Sequence, residues 1–200
     1  VQCVDVVVIG AGFGGLYALY KLRSMGLQVC VLELAPDVGG VWHSNRYPGA
    51  RADVESLQYS YSFDEKLQQD WAWSERFATQ PEILAYAQHV ATRFDLRRSI
   101  FFNTRATTLV FDEAKSRWDI QTDSIYRFDA KYVVSAVGCL SAKQRVNWTG
   151  LASFNGKVLY TAAWPVDRVS FSGNDVVVVG TGPSGVQVIP EIASEARTLT

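Results

Sequence analysis

Near its start the chain carries a glycine-rich turn of the kind that binds phosphates. The turn Gly10–Gly15 reads GAGFGG; it follows the β-branched run Val6–Ile9 and precedes leucines at helical spacing. In such a turn Gly10 lets the backbone bend sharply out of the strand, Gly12 lets it approach a pyrophosphate, and Gly15 lets the helix pack closely on the sheet. The first N–H groups of the helix and the positive end of its dipole then face the phosphates. The candidate cofactor-binding residues of this turn are Gly10, Gly12, Phe13, Gly14 and Gly15.

An acidic residue ends the second predicted strand, about 20 residues after the turn. Val29–Leu32 is that strand, and Glu33 follows it directly. A carboxylate at this place accepts hydrogen bonds from ribose hydroxyls and disfavours a cofactor with a 2′-phosphate on that ribose. The pattern therefore predicts a site for FAD or NAD, with Glu33 as the ribose-binding residue. A glycine motif alone would also fit an ordinary strand–turn–helix, but here the strand, the helix and the acid all accompany it.

The last part of the chain repeats this arrangement. Val176–Val179 is apolar and β-branched, Gly180–Gly185 reads GTGPSG, and a helix with an apolar stripe follows. Pro183 suits the first turn of a helix, because an N–H there has no intrahelical partner. We therefore expect a second dinucleotide-binding unit. The residue that discriminates NAD from NADP in such a unit falls after Thr200, so this part of the sequence leaves that choice open.

Residues 39–56, which follow the second predicted strand, show neither helical nor strand periodicity in their first half. They are rich in glycine, proline, arginine and aromatic residues and include Asn45–Ser56, NRYPGARADVES. Because the segment follows a strand, it leaves the carboxyl edge of the sheet, where folds of this kind bind cofactors. We therefore interpret it as a loop that lies across a ligand. The alternative is a surface loop whose Trp42 and Tyr47 fill the edge of the core.

The remaining sequence completes an α/β fold. A capping-box sequence at Thr79 begins a predicted helix that runs to about Phe94. Five short strands are predicted after it: Ile100–Asn103, Thr107–Phe111, Trp118–Thr122, Ile125–Phe128 and Tyr132–Ala136. This order predicts a Rossmann-like, doubly wound sheet with a β-meander insertion, followed by the start of a second Rossmann-like domain. The expected boundaries are 1–140 for the first domain, 141–152 for a linker and 153–200 for the truncated second domain.

Composition argues against several other classes of protein. The 200 residues are 48% hydrophobic and carry a formal net charge of −1, which gives no electrostatic argument for binding nucleic acid or an anionic membrane. Unbroken apolar stretches fall short of the roughly 18 residues that a membrane-spanning helix needs. Cys3, Cys30 and Cys139 are far apart and the chain has two histidines, so we expect neither a disulfide framework nor a metal site. These features favour a reducing, cytoplasmic location.

Taken together, the two glycine motifs and residues 39–56 resemble the flavin-dependent Baeyer–Villiger monooxygenases. The resemblance covers essentially the whole chain, as the N-terminal part of a longer enzyme, and Asn45–Ser56 is its most specific part. It implies that residues 1–140 form an FAD-binding domain and that residues 153–200 begin an NADP-binding domain, with NADPH as the usual cofactor. It also implies that Asp53 is catalytic and orients an arginine supplied by another part of the enzyme.

The same resemblance assigns cofactor contacts residue by residue. The implied flavin contacts are Gly40, Val41, Trp42, Asp53, Tyr59 and Ala106. The implied contacts to the nicotinamide cofactor are Arg51, Ala52, Thr181, Gly182, Pro183, Ser184, Gly185, Val186 and Gln187. For Asp53 the structural alternative is the N-cap of a helix that begins at Val54.

A second family signature, F-x-G-x-x-x-H-x-x-x-W-P, matches Phe154–Pro165 with one departure. Tyr160 stands where the signature has histidine; tyrosine can share a hydrogen-bonding role but cannot carry a positive charge near neutral pH. Trp164–Pro165 agrees better with this family than with the flavin-containing monooxygenases, which usually end the motif with tyrosine or phenylalanine. Further departures are His43–Ser44, where the family commonly has aromatic residues, and Cys139, where glutamine is frequent.

The reaction implied by the resemblance inserts one atom of O2 next to a ketone carbonyl and gives an ester or lactone by way of a flavin peroxide. The partners are then a small-molecule ketone, O2 and the remainder of the parent polypeptide, and the 200-residue segment alone is expected to be inactive. The alternatives are a flavin-containing monooxygenase that oxidises nitrogen or sulfur centres, and a catalytically inactive flavin-domain fragment. A disulfide reductase would need a cysteine pair soon after the second strand, and residues 39–56 contain none.

Overall fold

A computed structural model describes residues 1–140 and 146–200 of the chain. Its strands are β1 (Gln2–Ile9), β2 (Val29–Leu32), β3 (Ile100–Phe101), β4 (Ala106–Asp112), β5 (Arg117–Thr122), β6 (Arg127–Ser135), β7 (Asp175–Val176) and β8 (Thr198–Leu199). Its α-helices are α1 (Phe13–Ser24), α2 (Val41–Ser44), α3 (Glu65–Asp70), α4 (Gln80–Arg93) and α5 (Pro183–Ala193). Short 3₁₀ helices cover Ser56–Tyr59, Arg97–Ser99, Leu151–Ser153 and Thr161–Ala163.

The described residues fall into two compact units. One unit consists of residues 1–43 and 84–140, and the other of residues 44–83 and 146–200. Part of the linker that the sequence predicts, residues 141–145, lies outside the described residues. No helix in the described parts of the chain has the length and apolar character needed to cross a bilayer.

The first unit contains a six-stranded sheet in the order β3-β2-β1-β6-β5-β4. The neighbouring strands β3, β2, β1 and β6 run parallel, while β5 and β4 join the edge as an antiparallel meander. The centre of the sheet is apolar, as a sheet covered on both faces requires: Val6–Val8 of β1 and all of β2 are buried. The sheet confirms the predicted Rossmann-like α/β fold with a β-meander insertion.

The strand β6 differs from the prediction, which placed two separate strands at Ile125–Phe128 and Tyr132–Ala136. The structure has one continuous strand of 9 residues, so that prediction was wrong. Asp129 and Lys131 suggested a turn, but each is paired inside the ladder. The Asp129 carboxylate forms an ion pair with Arg117, and Lys131 donates to Asp5 at 2.8 Å. Polar residues with partners on adjacent strands therefore keep the strand extended.

The buried thiol of Cys30, in β2, gives a test of the first unit. Burial raises the pKa of Cys30 to about 12, whereas Cys3 and Cys139 are exposed. We expect iodoacetamide at pH 8 to alkylate Cys3 and Cys139 readily, and Cys30 only after denaturation, because the thiolate is the reactive form. Differential alkylation followed by peptide mass spectrometry measures this. Rapid native labelling of Cys30 would show that β2 is not buried as described.

The second unit contains the parallel pair β7–β8, with α5 connecting the two strands. Hydrogen bonds from the Arg197 and Thr198 side chains lower the pKa of Asp175 to about 2 and tie the starts of both strands together. The predicted bounds Val176–Val179 were wrong: β7 covers Asp175 and Val176, which pair with Thr198 and Leu199. A hydrogen bond from Val178 N to Thr200 O at 2.8 Å continues the parallel pairing of the two segments beyond β7.

Candidate functional site

The first glycine turn has the backbone geometry that the sequence predicts. Gly10 adopts a φ of +102°, and a Cβ atom there would lie 2.6 Å from the Ala136 carbonyl oxygen. A Cβ atom on Gly15 would clash with the carbonyl of Gly10, so these two positions require glycine. Gly12 is the N-cap of α1, and Phe13 begins the helix. The turn therefore directs the first N–H groups of α1 out of the carboxyl end of β1.

The carboxylate of Glu33 lies beside this turn. Glu33 is 7% exposed; its Oε2 accepts from Ala11 N at 2.6 Å and its Oε1 accepts from Ala35 N at 2.7 Å. A carboxylate offers about four lone-pair sites, so these two bonds leave acceptor capacity for hydroxyl donors. The structure thus brings Glu33 and the turn together, and the hydrogen bond from the turn's own backbone to Glu33 has no signal in the sequence.

The start of the 39–56 segment also reaches the turn. Gly39 N donates to Ala11 O at 3.0 Å, and a Cβ atom on Gly40 would lie 2.9 Å from the Cα of Gly12. Gly40 therefore lies against Gly12, as expected for two residues that line one cofactor. Val41 and Trp42 follow in α2, both half-buried. The prediction that this part is irregular was wrong over these four residues, because Gly39 and Gly40 carbonyls accept bonds from Trp42 and His43 and close a helical turn.

An ion pair fixes the chain just beyond Glu33. Asp37 accepts hydrogen bonds from Arg97 and from Gln88 Nε2, the latter at 2.9 Å. Partial burial acts to raise the pKa of Asp37, but the bonds from Arg97, Val38 N–H and Gln88 outweigh it and hold the pKa below its usual value. Asp37 therefore stays ionised, and its role is to hold residues 35–38 in place next to Glu33.

Ala106, a predicted flavin contact, begins β4. It packs against the cluster of buried residues around Val7 and Phe128, within the first unit. Its contact with a cofactor stays a prediction.

The second glycine turn repeats the geometry of the first. Gly180 has a φ of +128°, and a Cβ atom on Gly185 would clash with the Gly180 carbonyl, as in the first turn. Gly182 is the N-cap of α5, and Pro183 occupies the first turn of that helix, as predicted. Among the described residues, none lies within 4 Å of a Cβ atom built on Gly182. The backbone at this helix start is therefore open to a phosphate. Thr181, Ser184 and Val186 lie on the same turn.

The segment that carries Arg51, Ala52 and Asp53 belongs to the second unit. Ala52 is buried, and its N–H donates to Ala78 O at 2.9 Å, while Arg51 forms an isolated antiparallel bridge with Thr79. Arg51 also pairs with Glu75 at 3.2 Å. Asp53 is exposed. The alternative interpretation of Asp53 as a helix N-cap is wrong, because the 3₁₀ helix Ser56–Tyr59 has Glu55 as its N-cap residue.

Ser56, to which the sequence assigned no role, ties this segment to residues 75–78. It is buried, its Oγ donates to Glu75 O at 2.6 Å, and Ala78 N donates to that Oγ at 2.8 Å. Tyr59, a predicted flavin contact, closes the same 3₁₀ helix and is half-buried. The sequence offers no local signal for such a tie, since the partners are about 20 residues apart.

The Phe154–Pro165 signature lies in the same unit. Tyr160, in the place of the histidine, precedes the 3₁₀ helix Thr161–Ala163, and Tyr160 O accepts from Ala163 N at 3.0 Å. Trp164 packs at the edge of a cluster that includes Phe171, with 6.2 Å between the ring centroids. Trp164 and Pro165 also line an open cleft of about 430 Å³, together with Arg46, Arg168 and Glu191.

Comparisons with known proteins agree with this geometry. Residues 8–72 match the family described as NAD(P)-binding Rossmann-like domain. A Baeyer–Villiger monooxygenase of Pseudooceanicola batsensis is 48% identical over 98% of this chain and 36% of its own length. The phenazine N-monooxygenase PhzNO1 of Lysobacter antibioticus is 44% identical over 98% of this chain and 36% of its own length.

Solved structures give the same result. A steroid monooxygenase bound to NADP superposes with a TM-score of 0.94 at 54% identity, covering 99% of this chain and 38% of that one. The structure named OTEMO, in complex with FAD and NADP, superposes with a TM-score of 0.92 at 39% identity, covering 98% of this chain and 38% of that one. The chain matches the N-terminal portion of proteins named as Baeyer–Villiger monooxygenases and of structures of related monooxygenases. It spans little more than a third of the length of these relatives.

Proposed function

We propose that the parent protein is an FAD- and NADPH-dependent monooxygenase that inserts one oxygen atom from O2 next to a ketone carbonyl, giving an ester or lactone. The observation that carries this proposal is the pair of glycine turns with matching geometry, one of them flanked by Glu33. Similar proteins support it: one is named as a Baeyer–Villiger monooxygenase, and another was solved in complex with FAD and NADP.

The residues of the first turn fit an FAD. Gly12 and Gly40 keep their backbones free of side chains beside the start of α1, and Glu33 presents a buried carboxylate there. We assign the diphosphate to the helix start and the ribose hydroxyls to Glu33. When bound, the flavin supplies the redox and oxygen chemistry, and the protein supplies orientation, exclusion of water and charge. Gly10, Gly15, Val41, Trp42, Tyr59 and Ala106 complete the proposed FAD contacts.

The residues around the second turn fit the nicotinamide cofactor. At the start of α5 the exposed Gly182 and the half-buried Ser184 offer their backbone N–H groups to its diphosphate. Arg51 and Ala52 are the proposed contacts of its nicotinamide end. Asp53, exposed and close in sequence to both, is the proposed orienting carboxylate for an arginine from the rest of the parent polypeptide. A carboxylate that accepts hydrogen bonds from a guanidinium fixes the position of that positive group.

A second candidate function is oxidation of a nitrogen centre. It is favoured by the 44% identity to a protein named as a phenazine N-monooxygenase. Trp164–Pro165 supports the ketone reaction, since the related nitrogen- and sulfur-oxidising enzymes usually end this motif differently. We also infer a cytoplasmic location, supported by the three free cysteines.

The experiment that tests this proposal is product analysis with the purified parent protein, FAD, NADPH and air. We expect a cyclic ketone to give a lactone in an amount matching the NADPH consumed. An N-oxide from an aromatic amine or a sulfoxide from a thioether, without lactone from any ketone of a panel, would favour the alternative. Steady lactone formation by the 200-residue segment alone would contradict the expectation that turnover needs the rest of the polypeptide.

A further inference from the structure

The backbone of residues 47–51 packs directly on α5, the helix of the second glycine turn. Tyr47 and Ala50 are 8% and 6% exposed and share a cluster with Val188 and Ile192 of that helix. Gly49 has a φ of +74°, and a Cβ atom there would lie 2.9 Å from the Cγ of Glu191 and clash with the backbone of α5. The loop and the helix therefore touch through their main chains.

One side chain of α5, Gln187, closes this contact. Its Oε1 accepts from the Tyr47 hydroxyl at 2.8 Å and from Arg51 N at 3.3 Å, and its Nε2 donates to Arg51 O at 3.0 Å. A primary amide carries an acceptor and a donor side by side, so Gln187 satisfies the N–H and the carbonyl of the same residue. The Gln187 amide thus bonds to the N–H and C=O of Arg51 in the way that the backbone of a neighbouring β-strand residue would.

This bond pattern joins the two halves of the proposed nicotinamide site. Gln187 lies two residues after Gly185, within the first turns of α5, while Arg51 and Asp53 belong to the loop. Beyond Arg51, the Ala52–Ala78 hydrogen bond at 2.9 Å fixes the chain again just before Asp53. The backbone on one side of Asp53 is thus held by Gln187 and by Ala78. No comparable tie is evident from the sequence, since Gln187 and Arg51 are 136 residues apart.

We propose that Gln187 is a positioning residue whose side-chain amide holds Arg51 and Asp53 at the start of α5, so that occupancy of the second glycine turn orders the Asp53 loop. The proposal rests on the proposed function and assigns Gln187 a role different from a direct contact to the diphosphate. Tyr47 contributes by orienting the amide. Without the Gln187 amide, the loop would keep its apolar packing on α5, but the backbone of Arg51 would no longer be held in its position.

The test uses the FAD-loaded parent protein and the substitutions Gln187→Met, Tyr47→Phe and both together. Methionine keeps the length of the side chain and removes its hydrogen bonds. Ser194→Ala, at the other end of α5, removes one exposed hydrogen bond, to Glu191 O, and serves as the matched control. Amide hydrogen exchange of peptides covering residues 47–56, with and without NADP⁺, is the readout that does not depend on turnover.

In the unsubstituted protein we expect NADP⁺ to slow exchange in this segment. In Gln187→Met the exchange without NADP⁺ should rise about fivefold to tenfold, the effect of losing one or two neutral hydrogen bonds, and NADP⁺ should no longer slow it. Tyr47→Phe should give a smaller rise of the same kind, and the double variant should resemble Gln187→Met, because the hydroxyl acts through the amide. The control should match the unsubstituted protein.

Steady-state kinetics separate positioning from direct contact. A positioning role predicts that kcat for ketone oxygenation falls about fivefold or more in Gln187→Met, with more hydrogen peroxide released, while KM for NADPH changes by less than about twofold. The proposal would be overturned if Gln187→Met raised KM for NADPH at an unchanged kcat and Tyr47→Phe changed neither exchange nor kinetics. Gln187 would then be a diphosphate contact. Lactone formation by the unsubstituted protein with unaltered exchange in Gln187→Met would also overturn it. If exchange is altered in Gln187→Met but the unsubstituted protein forms no lactone, the proposed function is wrong and the positioning role of Gln187 is retained.

Discussion

Gly12→Ala is expected to empty the FAD site of the parent protein while leaving its fold intact. A Cβ atom on Gly12 would lie 3.5 Å from Gly40 Cα, an ordinary contact that the protein itself tolerates. The same methyl group would stand where a diphosphate has to approach the start of α1. Losing two charge-assisted hydrogen bonds, at about 1.5–3 kcal/mol each, weakens binding by about 3–6 kcal/mol, so FAD affinity should fall at least about 100-fold.

Gly14→Ala is the matched control for this substitution. It adds the same methyl group two residues along, where no described residue lies within 4 Å of the added atom, and it keeps the backbone N–H. Equilibrium titration with FAD, followed by flavin fluorescence, measures both variants, and circular dichroism confirms the fold. We expect Gly14→Ala to bind within about threefold of the original affinity. Equal FAD affinity in Gly12→Ala and the unsubstituted protein would show that the diphosphate does not bind at this turn.

Asp53→Asn is the second substitution with a large expected effect, this time on chemistry rather than on binding. Asp53 is exposed and is not the N-cap of the helix that follows, so asparagine should leave the fold and FAD content unchanged. If its carboxylate orients an arginine, the amide loses the charge that holds the guanidinium. A hydrogen bond to a charged group contributes about 1.5–3 kcal/mol, so kcat for ketone oxygenation should fall about 10- to 100-fold.

Glu55→Gln provides the comparison for Asp53→Asn. Glu55 lies two residues further along the same segment, and its carboxylate pairs with Arg76 at the surface. Exposed pairs of this kind contribute about 0–1 kcal/mol, so this variant should keep its rate. NADPH consumption, lactone yield and hydrogen peroxide release are measured together for both variants. Full lactone yield from Asp53→Asn would show that Asp53 has no part in the reaction.

Local patterns were sufficient to predict the first unit where each residue's role depends on its neighbours in sequence. The β-branched run before Gly10, the leucines of α1 and the apolar strand before Glu33 all fold as expected. Glycine at positions 10 and 15 could also be explained from the sequence, because a tight turn requires it at Gly10 and a close contact with the helix start requires it at Gly15. The geometry around Glu33 extends the prediction, since its carboxylate also accepts from the turn itself.

The errors have a common physical cause, which is that partners distant in sequence decide the conformation. Asp129 and Lys131 are typical turn residues by type, but their ion pairs with Arg117 and Asp5 hold them in a strand. The division of the described residues into two units also depends on contacts across long stretches of chain, which place residues 44–83 together with residues 146–200.

The candidate site shows the same limit. Its glycines and acids could be named from their spacing, whereas the bonds from Gln187 to Tyr47 and Arg51 could not. A glutamine within the first turns of a phosphate-binding helix is most simply interpreted as a ligand contact. Only the positions of both elements show that its amide serves the backbone of Arg51.

A crystal structure of the parent protein with FAD bound tests the central claim most directly. The claim predicts electron density for the diphosphate at the N–H groups that follow Gly12, with a ribose hydroxyl within hydrogen-bonding distance of Glu33. Density for FAD at another place, or a crevice at Gly12 and Gly40 filled by side chains, would contradict the account.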